Sequence, residues 1–154
     1  MNAVQIVSYA PELADDFKRI SYGWLEKYFG IEEEDKAVLE NHREKIIAPG
    51  GNILFAVLND EVVGTCALIK HGDELFELAK MGVSEAHQGK KIGRLLGEAI
   101  IALARESGGK KIFLESSQNL TAALALYDKL GFRPDPNLDV SPYSRCNVQL
   151  ALVL

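Results

Sequence analysis

Between Gln88 and Arg94 the chain reads Gln-Gly-Lys-Lys-Ile-Gly-Arg, with two glycines (Gly89, Gly93) set among three cations (Lys90, Lys91, Arg94). The run follows an apolar, strand-like stretch ending at Val83 and opens directly into a helical pattern. Ile92, Leu95, Leu96, Ala99, Ile100, Leu103 and Ala104 fall at i, i+3, i+4, i+7, i+8, i+11 and i+12, one apolar stripe. A loop of this kind suits phosphate. The first N–H groups of a helix have no carbonyl behind them, and the macrodipole adds about half a positive charge. Glycine lets the backbone come close to the anion. A polyanionic ligand is therefore expected at Gln88, Gly89, Lys90, Lys91, Ile92, Gly93 and Arg94. Neither Gly-x-x-x-x-Gly-Lys-Ser/Thr nor Gly-x-Gly-x-x-Gly occurs, which argues against a P-loop nucleotide or a Rossmann dinucleotide.

Composition sets the frame for that site. The chain has 154 residues, 25% charged and 47% hydrophobic, as expected of one ordinary soluble domain with a full core. No apolar run approaches the roughly 18 residues of a membrane span. The stretch from Met1 to Glu12 lacks a basic region followed by a long apolar run, so no signal peptide is expected. Cys66 and Cys146 lie in strand-like stretches and read as buried free thiols of a cytoplasmic protein. The net charge of -5 argues against general nucleic-acid binding. The charge is uneven, however. Lys80, Lys90, Lys91, Arg94, Arg105, Lys110 and Lys111 face only Glu85, Glu98 and Glu106 in the central segment. Electrostatic capture of an anionic cofactor explains that bias.

The elements that must position the loop follow from local pattern. Val4 to Tyr9 reads as a strand. A helix follows Pro11, with Leu13, Ala14, Phe17, Ile20, Trp24 and Leu25 as its stripe and Gly30 as its stop. The acidic run Glu32, Glu33, Glu34 and Asp35 reads as a solvated helix start, with a cationic substrate as the alternative. A second helix is expected over Lys36 to Ile47. Ile53–Leu58 and Glu61–Lys70 form a hairpin about Asn59-Asp60, and Leu75 to Val83 is the next strand. After the central helix, Ile112 to Glu115 returns as a strand parallel to the one before the loop. A further helix carries Leu120, Ala123, Leu124, Tyr127 and Leu130, and Arg145 to Leu154 is a final strand. The expected class is α+β: one mixed, mostly antiparallel sheet of six to seven strands with helices on both faces.

The loop resembles the pyrophosphate-binding motif of the GNAT superfamily of N-acetyltransferases, Gln/Arg-x-x-Gly-x-Gly/Ala between a strand and a helix. Gln88 matches its first position and Gly93 its last. Lys91 stands where the motif has an internal glycine. The stretch Asn119 to Arg133 resembles the second motif of that superfamily: an Asn before a helix, Tyr127 within it, and Gly131-Phe132 closing it. Asn119 stands eight residues before Tyr127, where many relatives have seven, so Ser117 or Gln118 is an alternative for the polar role. Together the two motifs and the element order cover the chain from Val4 to Leu154.

The resemblance implies acetyl-coenzyme A as cofactor and acetyl transfer to an amine. It implies a pyrophosphate on the loop and a pantetheine arm paired with the backbone of Met81, Gly82 and Val83, where strands splay. Gly82 permits a bulge or a close backbone approach there. An amine near pKa 10 must lose a proton before it attacks a thioester. Glu77 matches the base position of some relatives, with a salt bridge to Lys80 as the bland reading and Glu115 as the runner-up. Tyr127 matches the general acid for the leaving thiolate, and backbone N–H groups near Gly82 and Val83 the oxyanion hole.

The acceptor side is expected from the first two helices and the late strands. Trp24, Tyr28 and Phe29 read as an apolar wall or as core. Tyr143 and Arg145 reach either the acceptor, in which case Arg145 suits a carboxylate, or a structural ion pair. His42, His71 and His87 have no metal-ligand spacing, so surface roles and no metal are expected. The leading expectation is a small-molecule amine as acceptor. The alternatives are a protein N-terminus or lysine, and a non-catalytic acyl-CoA-binding module. No nucleic acid or membrane partner is expected. Analogy allows a homodimer through an exposed C-terminal strand edge.

Overall fold

The computed structural model describes residues 3–154; Met1 and Asn2, which open the stretch searched for a leader, lie outside them. β1 (Gln5–Ser8) is followed by a short 3-10 turn at Pro11–Leu13, α1 (Ala14–Tyr28) and α2 (Glu33–Glu40). β2 (Asn52–Leu58), β3 (Glu61–Lys70) and β4 (Leu75–Val83) form an antiparallel meander. The tight turn between β2 and β3 needs positive φ at two successive residues. Asn59 and Asp60, with φ of 53° and 62°, are among the few side chains that tolerate it.

α3 (Ile92–Glu106) then crosses the sheet and returns the chain as β5 (Lys111–Ser116), parallel to β4. α4 (Thr121–Leu130), a two-residue β6 (Arg133–Pro134) and β7 (Val148–Val153) complete the fold. The sheet has seven strands in the order β1-β2-β3-β4-β5-β7-β6. The mixed α+β architecture expected from the pattern is thus present. Two cores flank the sheet. Phe17, Leu25, Val38, Leu39 and Ile46 close one face over Ile53, Phe55 and Ala67. On the other, α3 and α4 pack on Leu54, Leu68, Phe76, Leu78, Ile112 and Leu114. β3 is buried without a break from Val63 to Leu68 because helices cover both of its faces.

Three expectations are corrected. The second helix is shorter than Lys36 to Ile47: it ends at Glu40, and a π-helical turn at Arg43–Ile47 replaces its last part. Cys146 lies in the loop before β7 rather than in a strand. β7 is not a bare edge, since β6 pairs with it at Ala151 and Leu150. Among the described residues, no helix is long and apolar enough to cross a membrane.

Candidate active site

β4 and β5 pair over only three positions, Leu75–Glu77 against Lys111–Phe113, and part beyond Glu77. The cause lies in β4. Its register against β3 runs Thr65↔Gly82 and then Ala67↔Ala79, so Lys80 and Met81 together oppose Cys66. That is a β-bulge, and Lys80 takes the left-handed φ of 52° that it requires. The bulge inverts the side-chain alternation. Phe76 and Leu78 face the α3/α4 core before it, and Met81 and Val83 after it. Gly82 turns to α1, where a Cβ would sit 3.3 Å from Ile20 Cγ2. Of the two roles open to Gly82, close approach is the one found; the bulge belongs to Lys80–Met81.

The parted strands open a cleft of about 1290 Å³, lined at one end by Gln88, Gly89, Lys91, Ile92, Gly93 and Arg94. Gly89 (φ 83°) and Lys91 (φ 63°) are both left-handed. Lys91 thus adopts the conformation that the missing glycine would hold most cheaply, and the loop keeps its shape at a cost in strain. Leu95 N–H makes the first helical bond, to Lys91 O at 3.2 Å. The N–H groups of Ile92, Gly93 and Arg94 precede it and point out of the helix end. Gln88 Nε2 donates to Val83 O at 3.4 Å, tying the loop to the end of β4. Lys90 and Lys91 are exposed and, among the described residues, have no ion-pair partner. Arg94 pairs with Glu98 at 2.8 Å. Ile92 is corrected in part: its side chain is core, so only its backbone N–H can serve an anion.

Tyr127 projects from α4 into the wall of the cleft. Burial pushes its phenol well above the usual range, with the buried Cys66 thiol adding to the effect, so it stays protonated. Its hydroxyl has no hydrogen-bond partner among the described residues. Of the three polar candidates before α4, Asn119 is exposed and lines the cleft. Ser117 is buried, and its Oγ accepts from Asn119 N–H at 3.3 Å. Gln118 lies outside the cleft lining, its N–H donating to Asn147 Oδ1 at 2.8 Å. Ser116, which the sequence does not single out, is among the residues lining the cleft, and its buried Oγ has no partner among the described residues. Strand periodicity places it, but nothing in the sequence shows that its hydroxyl is orphaned.

On the opposite face of β4, Glu77 does not pair with Lys80. Its Oε1 lies 2.8 Å from His71 Nε2, and the His71 ring stacks on Phe113 with centroids 5.0 Å apart. Glu115, on β5, accepts from Ser141 Oγ (3.0 Å) and Gln149 Nε2 (3.1 Å), and burial raises its carboxyl above the usual range. Lys80 Nζ reaches Asp35 Oδ1 (2.6 Å) and Tyr143 Oη (3.1 Å).

Asp35 overturns the picture of a solvated acidic run. It is fully buried and accepts both Arg145 nitrogens, at 2.8 and 2.7 Å, as well as Lys80. Burial alone would push its carboxyl up; Arg145, Lys80 and the Glu32 N–H outweigh that and hold it at about 2. Glu32 also accepts from Arg145, at 3.1 Å. Arg145 is therefore committed to a structural ion pair and is not free for an acceptor carboxylate. Both it and Tyr143 precede β7 rather than beginning it. Trp24, Tyr28 and Phe29 line the cleft, with Trp24 5.1 and 5.7 Å from the other two rings. One histidine leaves the expected surface: His42 is buried, with Nδ1 2.9 Å from Leu39 O and Nε2 3.1 Å from Tyr9 Oη. His71 stays exposed, at the rim of the cleft that it and His87 help to line.

The fit of these residues to an extended ligand with an anionic end rests on three features. They are the open α3 N-terminus, the unpaired β5-facing edge of Met81–Val83, and the orphaned Ser116 hydroxyl. Comparisons with known proteins agree. The family described as Acetyltransferase (GNAT) matches residues 14–132. Mycothiol acetyltransferase of Corynebacterium efficiens is 35% identical over 81 residues, 53% of this chain and 27% of that protein. N-acetylaspartate synthetase of Mus musculus is 34% identical over 100 residues, 64% of this chain and 33% of that protein. The chain therefore spans only about a quarter to a third of these relatives. A GNAT-family acetyltransferase from Staphylococcus aureus superposes with a TM-score of 0.86 at 24% identity, covering 97% of this chain and 98% of that one. The PaiA N-acetyltransferase of Thermoplasma acidophilum, solved with coenzyme A, superposes with a TM-score of 0.77 at 16% identity, covering 99% of both. At these identities the superpositions speak for the fold.

Proposed function

The chain belongs to the GNAT family of acetyltransferases, and from that premise we propose that it moves an acetyl group from acetyl-CoA to the primary amine of a small molecule. The observation that carries the reading is the parting of β4 from β5 beside an open helix N-terminus, with Tyr127 and Glu77 on the two sides of the gap. Acetyl-CoA would supply an activated acetyl thioester and leave as the thiol.

The N–H groups of Ile92, Gly93 and Arg94, with Lys90 and Lys91, would hold its pyrophosphate. Met81, Gly82 and Val83 would align its arm and offer N–H donors to the developing oxyanion. Asn119, exposed in the cleft lining, would be the polar residue that meets it, with the buried Ser117 of the same lining as the alternative. Glu77 drains the proton that the amine must shed, through a water. Tyr127, kept protonated by burial, would supply the proton for the departing thiol. Glu77 is preferred to Glu115 because both oxygens of Glu115 already have donors.

Trp24, Tyr28 and Phe29 would wall the acceptor. With Asp35 buried and Glu32 on Arg145, two of the four acids are spent on the fold; Glu34 lines the cleft and would serve the ammonium of a small acceptor as readily as a basic peptide. Lys91 holds the left-handed turn and keeps the loop fit for a pyrophosphate; Tyr127 in the cleft wall is what favours catalysis over a mere binding module.

The first test is a thermal shift with acetyl-CoA, beside free coenzyme A and ATP. At 100 times Kd, binding adds roughly 2.7 kcal/mol, or about 5–10 °C for a domain of this size. Thiol release across a panel of amines follows. No shift at millimolar acetyl-CoA overturns the reading.

A further inference from the structure

We propose that the base at Glu77 is a pair: Nδ1 of His71 takes the amine's proton through a water, while the Glu77 carboxylate holds Nε2–H and balances the imidazolium charge. The inference rests on the acetyl-transfer reading and deepens it. Each turnover of an ammonium acceptor releases one proton: the N–H proton is lost, the C–N bond forms, the C–S bond breaks, and the thiolate leaves with the proton given by Tyr127. The second amine proton returns to Tyr127, so one proton per cycle must reach solvent from a recess.

The geometry supplies that path. Glu77 is held in the sheet between Ile69 and Phe113, with its side chain only 13% exposed. His71, 2.8 Å away, is 40% exposed and lines the same cleft. Its backbone N–H donates to Leu75 O (2.9 Å) and its ring rests on Phe113, so the turn and the imidazole are both fixed. With Nε2–H donating to the Glu77 carboxylate, Nδ1 carries the lone pair, and it has no partner among the described residues. Proton uptake at Nδ1 makes an imidazolium whose charge Glu77 balances in place, the logic of an acid–base pair oriented by a carboxylate.

The charged groups acting on this ring are Glu77 on β4 and, more weakly, Glu115 on β5, with Lys70 preceding it on its own strand. The hydrogen bond from Glu77 raises the imidazole above its ordinary value despite partial burial. That shift favours the protonated ring beside the carboxylate, the form that proton uptake at Nδ1 produces. The turn His71-Gly72-Asp73 reads from sequence only as a connection, and nothing local reveals that it folds back over Glu77.

The test uses the full chain, acetyl-CoA and whichever panel amine releases thiol fastest. The acid limb of kcat/KM should belong to the pair. His71→Gln should lower kcat at pH 7 by roughly 10- to 100-fold and move the limb to lower pH. Added imidazole should restore part of the activity of His71→Gly. A His71→Gln enzyme with an unchanged limb and kcat overturns the proposal and leaves Glu77 as the sole base. An activity-independent measurement runs beside it, NMR titration of the His71 ring. Its midpoint should stand above 6.5 in the parent and fall in Glu77→Gln; an unmoved midpoint overturns the pairing. If no amine in the panel releases thiol, the functional reading fails, while the NMR titration still decides whether the pair exists.

Discussion

Replacing Asp35 with asparagine tests the link between the first half of the chain and the wall of the cleft. The carboxylate is fully buried and joins α2 to Lys80 at the bulge and to Arg145 in the loop before β7. The amide would keep the volume but strand two cations, Lys80 at 6% and Arg145 at 18% exposure, with only Glu32 left to Arg145. Breaking a buried pair from one side costs about 3–5 kcal/mol. A carboxyl held at about 2 instead of 3.8 corresponds by itself to roughly 2 kcal/mol. Together these give an expected loss near 3 kcal/mol, or roughly 6–12 °C in Tm for a chain of this length.

Circular-dichroism melts at pH 7 read the loss directly. The sign of the pH dependence follows from a folded pKa below the unfolded one. The Asp35 contribution is complete above the unfolded value near 3.8 and is lost as pH falls toward 2. The gap between the two proteins should therefore hold from pH 7 down to about 4 and narrow only below that. Adding Lys80→Met to Asp35→Asn should recover part of the loss, because one stranded charge is gone. A Tm within 2 °C of the parent, or a gap that already closes between pH 7 and 5, refutes the reasoning.

Lys91→Gly should raise Tm by about 2–4 °C, since glycine relieves a left-handed residue worth roughly 1 kcal/mol, and should weaken acetyl-CoA binding roughly two- to fivefold by removing a cation; a lower Tm contradicts the strain argument. Tyr127→Phe should lower kcat on the order of 10²-fold with little change in acetyl-CoA affinity, and unchanged thiol-release kinetics would strip Tyr127 of the acid role. Gly51→Ala should destabilise by about 1–3 kcal/mol, read in a urea melt. Its Cβ would drive into Leu68 O and come within 2.7 Å of Ile46 O, both backbone atoms that cannot swing away. A neutral outcome would mean the π-helical turn before β2 gives way freely.

The sequence by itself determined what depends on neighbours along the chain. The Asn59-Asp60 turn, the stripe of α3, the strand Leu75–Val83 and the cation-rich entry to α3 were all legible, because turn chemistry and period 2 or 3.6 are local properties. So were Tyr127 on the inner side of α4 and the parallel return of β5, since a strand, a crossing helix and a strand admit few arrangements. The tertiary structure decided what depends on distant partners. Asp35 reads as one of four like charges in a row, and only the fold brings Arg145, 110 positions away, onto it. Glu77 was placed on its strand, yet its partner comes from a turn whose composition looks merely polar. Gly82 permits a bulge or a close approach, and the fold uses it for the second; the bulge forms at Lys80. There the buried Asp35 holds the lysine's ammonium, and the same extra residue lets Met81 and Val83 face the core. Local pattern fixes which residues are near the site; the desolvation and pairing that set their charge states exist only once the chain has closed around them.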